Sequence, residues 1–152
     1  MRRKRLDRME CSIARALDVV GDPWTLLIVR DALLGVTRFE AFQARLQIPR
    51  ATLTARLEHL VDAGILERRA YREHPPREEY VPTAKGRGLR PVIITLMQWG
   101  DEFARDDPPP THLEDAATGR PIEPTLVDRV SGAPLTALRV RAVGRVVPRR
   151  DE

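Results

Sequence analysis

The sequence predicts a mainly α-helical chain with a small two-stranded β element and a small β-rich appendage at its C-terminal end. Three observations lead there. Helix start and stop signals recur between residues 12 and 105 with short connections between them. One stretch among them, 65–81, reads as two strands turning over a Pro-Pro pair, and beyond Asp106 the apolar periodicity gives way to proline, glycine and polar residues.

Taken in order, residues 1–11 form a basic leader. The first helix is expected over Ile13–Val20, with Ser12 as its N-cap and Gly21 ending it. Asp22-Pro23 is a second start signal, an acidic cap followed by proline at the first helical position. The helix it opens, Trp24–Leu34, is apolar on nearly all sides and is therefore expected to be the buried pillar of the domain, closed by Gly35. Thr37 and Glu40 read as a capping box for a short helix, Phe39–Leu46. A tight turn, Gln47-Ile48-Pro49, leads into the helix Arg50–Ala63, whose Leu53, Leu57 and Leu60 make one apolar stripe before Gly64 stops it.

Residues 65–71 (ILERRAY) then form a strand, 72–78 (REHPPRE) a basic turn and Glu79–Val81 the returning strand. Thr83 caps a last long helix, Ala84–Arg105, in which Pro91 is expected to cause a bend. Its apolar residues cover more than one face of a small domain could bury. Residues 106–110 (DDPPP) are a linker, and 111–152 are the appendage. In it, Asp115-x-x-Thr118-Gly119-x-Pro121-Ile122 recurs 13 residues later as Asp128-x-x-Ser131-Gly132-x-Pro134-Leu135. Strand pairing and packing of Ile122, Leu126, Leu135, Leu138 and Val140 are expected to hold it together.

Composition bounds the function. Of 152 residues, 42% are hydrophobic, enough for a core, yet no apolar run approaches the roughly 20 residues of a membrane helix. No apolar segment follows the basic start, which argues against secretion and for a cytoplasmic protein. One cysteine, Cys11, excludes a disulfide framework and a cysteine-built zinc site within the chain. The three histidines, His59, His74 and His112, are scattered, and neither a phosphate loop nor a nucleophile motif is present, so no enzyme and no cofactor is expected. The net charge of +4 is concentrated: residues 38–90 carry 11 basic and 7 acidic side chains. A local positive excess is what attraction to a phosphate backbone needs.

Helix, helix, short helix, tight turn, longer helix, hairpin, helix is the order of a winged helix-turn-helix. In that geometry the helix after the turn enters the DNA major groove and its first turns meet base edges. Arg50 is placed for a phosphate or a guanine edge. Thr52 and Thr54 offer hydroxyls and methyls, Arg56 and His59 follow the groove or its flanking phosphates, and Ala51 and Ala55 permit close approach. Arg38, ahead of the preceding helix, joins this DNA-contacting set. Arg72 and Arg77 flank the wing tip, where a minor groove would lie. Arginines on a helix also read as an ordinary solvated face, and a winged helix can instead serve protein–protein contact.

The run from Cys11 to Gly100 resembles the HxlR-type regulators, relatives of the MarR-like winged helices. The resemblance rests on Cys11 before the first helix, Gly-x-x-Trp at 21–24, Leu-Thr-x-Arg-Leu at 53–57, Pro-Pro-Arg at 75–77 and Thr-x-x-Gly at 83–86. It implies a homodimeric transcriptional regulator on a pseudo-palindromic operator, usually a repressor, in some members responsive to an oxidant, an electrophile or a small ligand. It further implies a dimer interface from the first and last helices, here Ile13, Leu17, Leu89, Ile93, Leu96, Met97, Trp99 and Phe103. Some members sense oxidants through a cysteine placed like Cys11; the other reading of Cys11 is a small hydrophobe at the interface. Pro49 stands where the family caps the recognition helix with Ser or Thr, and Pro82 where it ends the second wing strand with an apolar residue. The tail resembles the zinc-ribbon-like extension of longer members, with Asp115, Thr118, Asp128 and Ser131 where paired cysteines would hold metal. Hydroxyls and carboxylates suit zinc poorly, so a metal-free appendage is expected.

Overall fold

The computed structural model describes residues 10–75 and 77–143. The basic leader, apart from Glu10 and Cys11, and the last nine residues of the appendage lie outside them. The chain divides into two compact units, 1–99 and 100–152.

In the first unit, α1 spans Ser12–Val20 and ends at Gly21. Its N-cap residue is Cys11, one position earlier than expected, and no side chain caps it. The second helix, α2 (Pro23–Leu33), starts as its sequence dictates: Asp22 Oδ1 accepts from the Trp24 and Thr25 amides at 3.1 and 3.3 Å. Proline at N1 gives up no donor the helix could use. Gly35, at φ +93°, turns the chain away after it.

The short α3 (Phe39–Leu46) begins one residue later than a Thr37–Glu40 capping box requires, so that box does not form. Thr37 is instead held in the connection, its carbonyl accepting the Tyr80 N–H at 2.7 Å. Gln47, left-handed at φ +50°, makes the turn, and buried Ile48 anchors it before α4 (Arg50–Asp62). No side chain replaces the missing cap at Pro49.

Leu53, Leu57 and Leu60 are fully buried against Ile28, Val29 and Phe42. Each such burial is worth about 2 kcal/mol. This packing fixes which side of α4 is left to solvent.

Strands β1 (Leu66–Arg72) and β2 (Arg77–Pro82) pair antiparallel, with Leu66 opposite Pro82 and Arg72 opposite Arg77. Pro82 is tolerated because it closes the strand at an edge. The expected single last helix is two: α5 (Ala84–Arg87) and α6 (Arg90–Phe103). Proline at 91 lacks an N–H and its ring opposes the carbonyl four residues back, so the chain breaks at Gly88-Leu89 rather than bending.

Thr83 pins this junction to the base of the wing. Its hydroxyl donates to the Gly64 carbonyl at 2.7 Å and accepts from the Gly86 amide at 3.1 Å. Gly86 lies so close to the wing that a Cβ there would sit 2.2 Å from the Ile65 carbonyl oxygen.

In the second unit, residues 111–143 fold into two like turns, each closed by an isolated bridge, Glu114 with Pro121 and Val127 with Pro134, followed by one 3-10 turn at Leu135–Ala137. The five apolar residues expected to pack there remain 39–74% exposed. The pairing is thus present as single bridges, and hydrogen bonds rather than apolar packing shape the turns. The Asp115 carboxylate accepts from the Ala117 amide (2.9 Å) and the Thr118 hydroxyl (2.8 Å). The Asp128 carboxylate accepts from the Ser131 hydroxyl (2.6 Å) and from the Val130 and Ser131 amides. Gly119 and Gly132, at φ +66° and +72°, complete the turns.

Candidate nucleic-acid interface

Packing of the three leucines divides α4 into faces. Arg50, Ala51, Thr54, Ala55, Glu58 and Asp62 are exposed, whereas Thr52, Arg56 and His59 are half-buried. Ala51, Thr54, Ala55 and Glu58 follow one another at three- and four-residue spacing, so they form a single outward row. Thr54 directs its hydroxyl to the Arg50 carbonyl at 3.0 Å.

Two candidates are engaged elsewhere. Arg56 pairs with the Asp22 carboxylate at 3.0 Å, and its Nε is buried. His59 Nε2 lies 2.7 Å from the Val19 carbonyl of α1. Both therefore brace α4 against the helices behind it, and their side chains are not part of the outward row.

The remaining candidates lie at the start of α4 and around the wing. Arg50 stacks its guanidinium over the Phe39 ring, 4.6 Å from the centroid, and Arg38 over the Tyr71 ring at 4.8 Å. Arg72 and Arg77 face each other across the hairpin, and the Arg72 Nε donates to the His74 carbonyl. Pro76, at the tip, is outside the described residues. Sequence reasoning passed over Phe39 and Tyr71. An aromatic at an exposed strand position in a chain with only 5% aromatics was the available signal for Tyr71. It also passed over Glu58, whose place in the outward row follows from counting from Leu57.

Of the residues assigned to a subunit interface, Ile13, Leu17, Leu96, Trp99 and Phe103 are 45–71% exposed, and Met97 is half-buried. Leu89 and Ile93 are packed against the core of the first unit. Cys11 is exposed.

The four appendage residues in the cysteine positions satisfy one another, and among the described residues no group of three His, Cys, Asp or Glu side chains converges. The Ala117 amide, then the Thr118 hydroxyl, hold the Asp115 carboxyl below its ordinary value of 3.8. The Ser131 hydroxyl, then the backbone amides, do the same for Asp128.

A helical domain with a two-stranded wing and an outward helix after a tight turn is a winged helix-turn-helix, the fold of DNA-binding regulators. The chain belongs to the HxlR-like helix-turn-helix family, whose model matches residues 19–108. It is 44% identical over 130 residues to the HTH-type transcriptional regulator Rv3095 of Mycobacterium tuberculosis, a match covering 85% of this chain and 82% of that one. Among solved structures, it is similar to PA1607, a candidate transcription factor, at a TM-score of 0.78 and 38% identity over 89% of this chain and 96% of that one. The redox regulator HypR in its oxidized form matches at a TM-score of 0.58 and 33% identity, covering 64% of this chain and all of its own. The chain is thus a transcriptional regulator with a helix-turn-helix DNA-binding fold, and no helix among the described residues is long and apolar enough to cross a membrane.

Proposed function

We propose that the protein is a homodimeric repressor that binds a pseudo-palindromic operator in the cytoplasm, with α4 in the major groove and the wing on the neighbouring backbone. The observation that carries this reading is the outward row of α4. Small side chains at Ala51, Thr54 and Ala55 let the helix approach base edges, and Arg50 and the wing arginines Arg72 and Arg77 are exposed as well. Methyl groups at these positions favour thymine contacts, and the arginines supply phosphate attraction. The exposed apolar residues of α1 and of α6 are the surfaces by which two copies join. Half-sites about 10 base pairs apart follow from two recognition helices on one side of a duplex.

Selection of bound sites from a random duplex pool tests this. An inverted repeat at that spacing supports it, and enrichment of no sequence would contradict it. A second reading concerns control. Cys11 is an exposed thiol at the start of α1, and HypR, a redox regulator, is similar over 64% of this chain. Oxidation of Cys11 would then alter α1 and the dimer. If Cys11→Ser leaves the peroxide and quinone response of DNA binding unchanged, that reading falls.

A further inference from the structure

We propose that Arg38 and Arg50 form one phosphate-binding strip on the duplex-facing side, and that Tyr71 and Phe39 are the residues that position them. The inference rests on the reading of α4 and the wing as the DNA face, and it assigns roles to two aromatic residues outside it.

Several arginines of the first unit are already paired with carboxylates. Arg30 and Arg45 are bound to buried Asp31, Arg56 to Asp22, Arg69 to Glu67 and Arg68 to Glu78. Arg68 also lies over a ring, that of Tyr80 at 5.8 Å, but is paired with Glu78 as well; Arg38 and Arg50 combine a ring beneath the guanidinium with no carboxylate partner among the described residues. A guanidinium stacked by its face keeps its in-plane N–H donors at the edge, the arrangement that meets a phosphate in a bidentate manner. A cation without a carboxylate partner, on a side chain whose orientation is already limited, is suited to binding an anion.

The two stacks are also connected. Arg38 and Phe39 are consecutive at the start of α3, so one dipeptide sends its cation to the wing and receives the cation of α4 on its ring. The preceding carbonyl, of Thr37, is fastened to Tyr80 of β2 at 2.7 Å. The start of α3, the wing and the start of α4 are thereby held in one register. The strip then contacts the sugar–phosphate backbone beside the groove that α4 enters, which fixes register without reading sequence.

A double-mutant cycle on non-specific DNA binding tests the assignment. The full chain is titrated by fluorescence anisotropy into a mixed-sequence duplex of about 30 base pairs at low salt. Tyr71→Leu is expected to weaken binding roughly three- to tenfold, Tyr71→Phe to retain it, and Tyr71→Leu to have no further effect in an Arg38→Ala background. Phe39→Leu should couple to Arg50→Ala in the same way. Because Phe39 also packs on the core, the Tyr71 arm, at a residue 38% exposed, decides the outcome. If Arg38→Ala and Arg50→Ala weaken binding while Tyr71→Leu does not, or costs the same without Arg38, the positioning role is overturned and the DNA face stands. If the unaltered chain does not bind the duplex, both fall.

Discussion

The guanidinium of Arg56 lies 3.0 Å from the carboxylate of Asp22, joining the middle of α4 to the start of α2. Asp22 caps α2 through one oxygen and holds α4 through the other. An arginine expected at the DNA face is thus part of the mounting of α4. Arg56→Ala is expected to cost about 2 kcal/mol of folding stability, since it leaves a half-buried carboxylate with its cap bonds alone. Urea denaturation measures that cost. DNA affinity of the folded Arg56→Ala protein should fall less than that of Arg50→Ala.

Gly86→Ala is expected to destabilise the fold by about 2 kcal/mol or more, because the new methyl would overlap the Ile65 carbonyl oxygen, a backbone atom that cannot swing aside. Gly100→Ala meets nothing within 4 Å and provides the control. Thermal unfolding of the two variants side by side checks the difference.

These two sites show what was legible in the sequence and what was not. Asp22-Pro23, the leucine stripe of α4 and the Pro-Pro hairpin are local signals whose physics acts within a few residues, and each produced the element it announces. Thr37 was misread because its partner, Tyr80, is more than 40 residues away. A cap assigned from spacing cannot see a strand that takes the same residue. For the candidate site, periodicity placed α4 but did not tell its outward row from its bracing side. Arg56 and His59 find Asp22 and Val19, contacts made only when α1 and α2 fold behind α4. The break before Pro91 was signalled by the proline itself and read too gently.

Leu96→Glu, or Ile13→Glu, is expected to convert a dimer to a folded monomer. Both side chains are at least half exposed within one chain, so the charge is tolerated there and costly only in an interface. Sedimentation with circular dichroism checks that mass halves while helicity is kept. An unchanged mass would place the interface elsewhere.

The appendage turns should be sensitive to acid alone. Asp115 and Asp128 titrate below 3.8 in the fold, so their hydrogen bonds contribute fully above that value and are lost as pH falls through the lowered folded values. Amide signals of Gly119 and Gly132 should be steady from about pH 8 to about pH 5 and move only in stronger acid. Thr118→Val and Ser131→Ala each remove a hydroxyl donor and should shift that transition upward.

Salt dependence of duplex binding tests the central claim most directly, that α4 and the wing form a phosphate-contacting face. The account predicts that log affinity falls linearly with log salt at a slope reflecting several phosphates, and that Arg77→Ala makes the slope shallower by about 1. Affinity indifferent to salt, or an identical slope with Arg38, Arg50 and Arg77 all replaced by alanine, would contradict it.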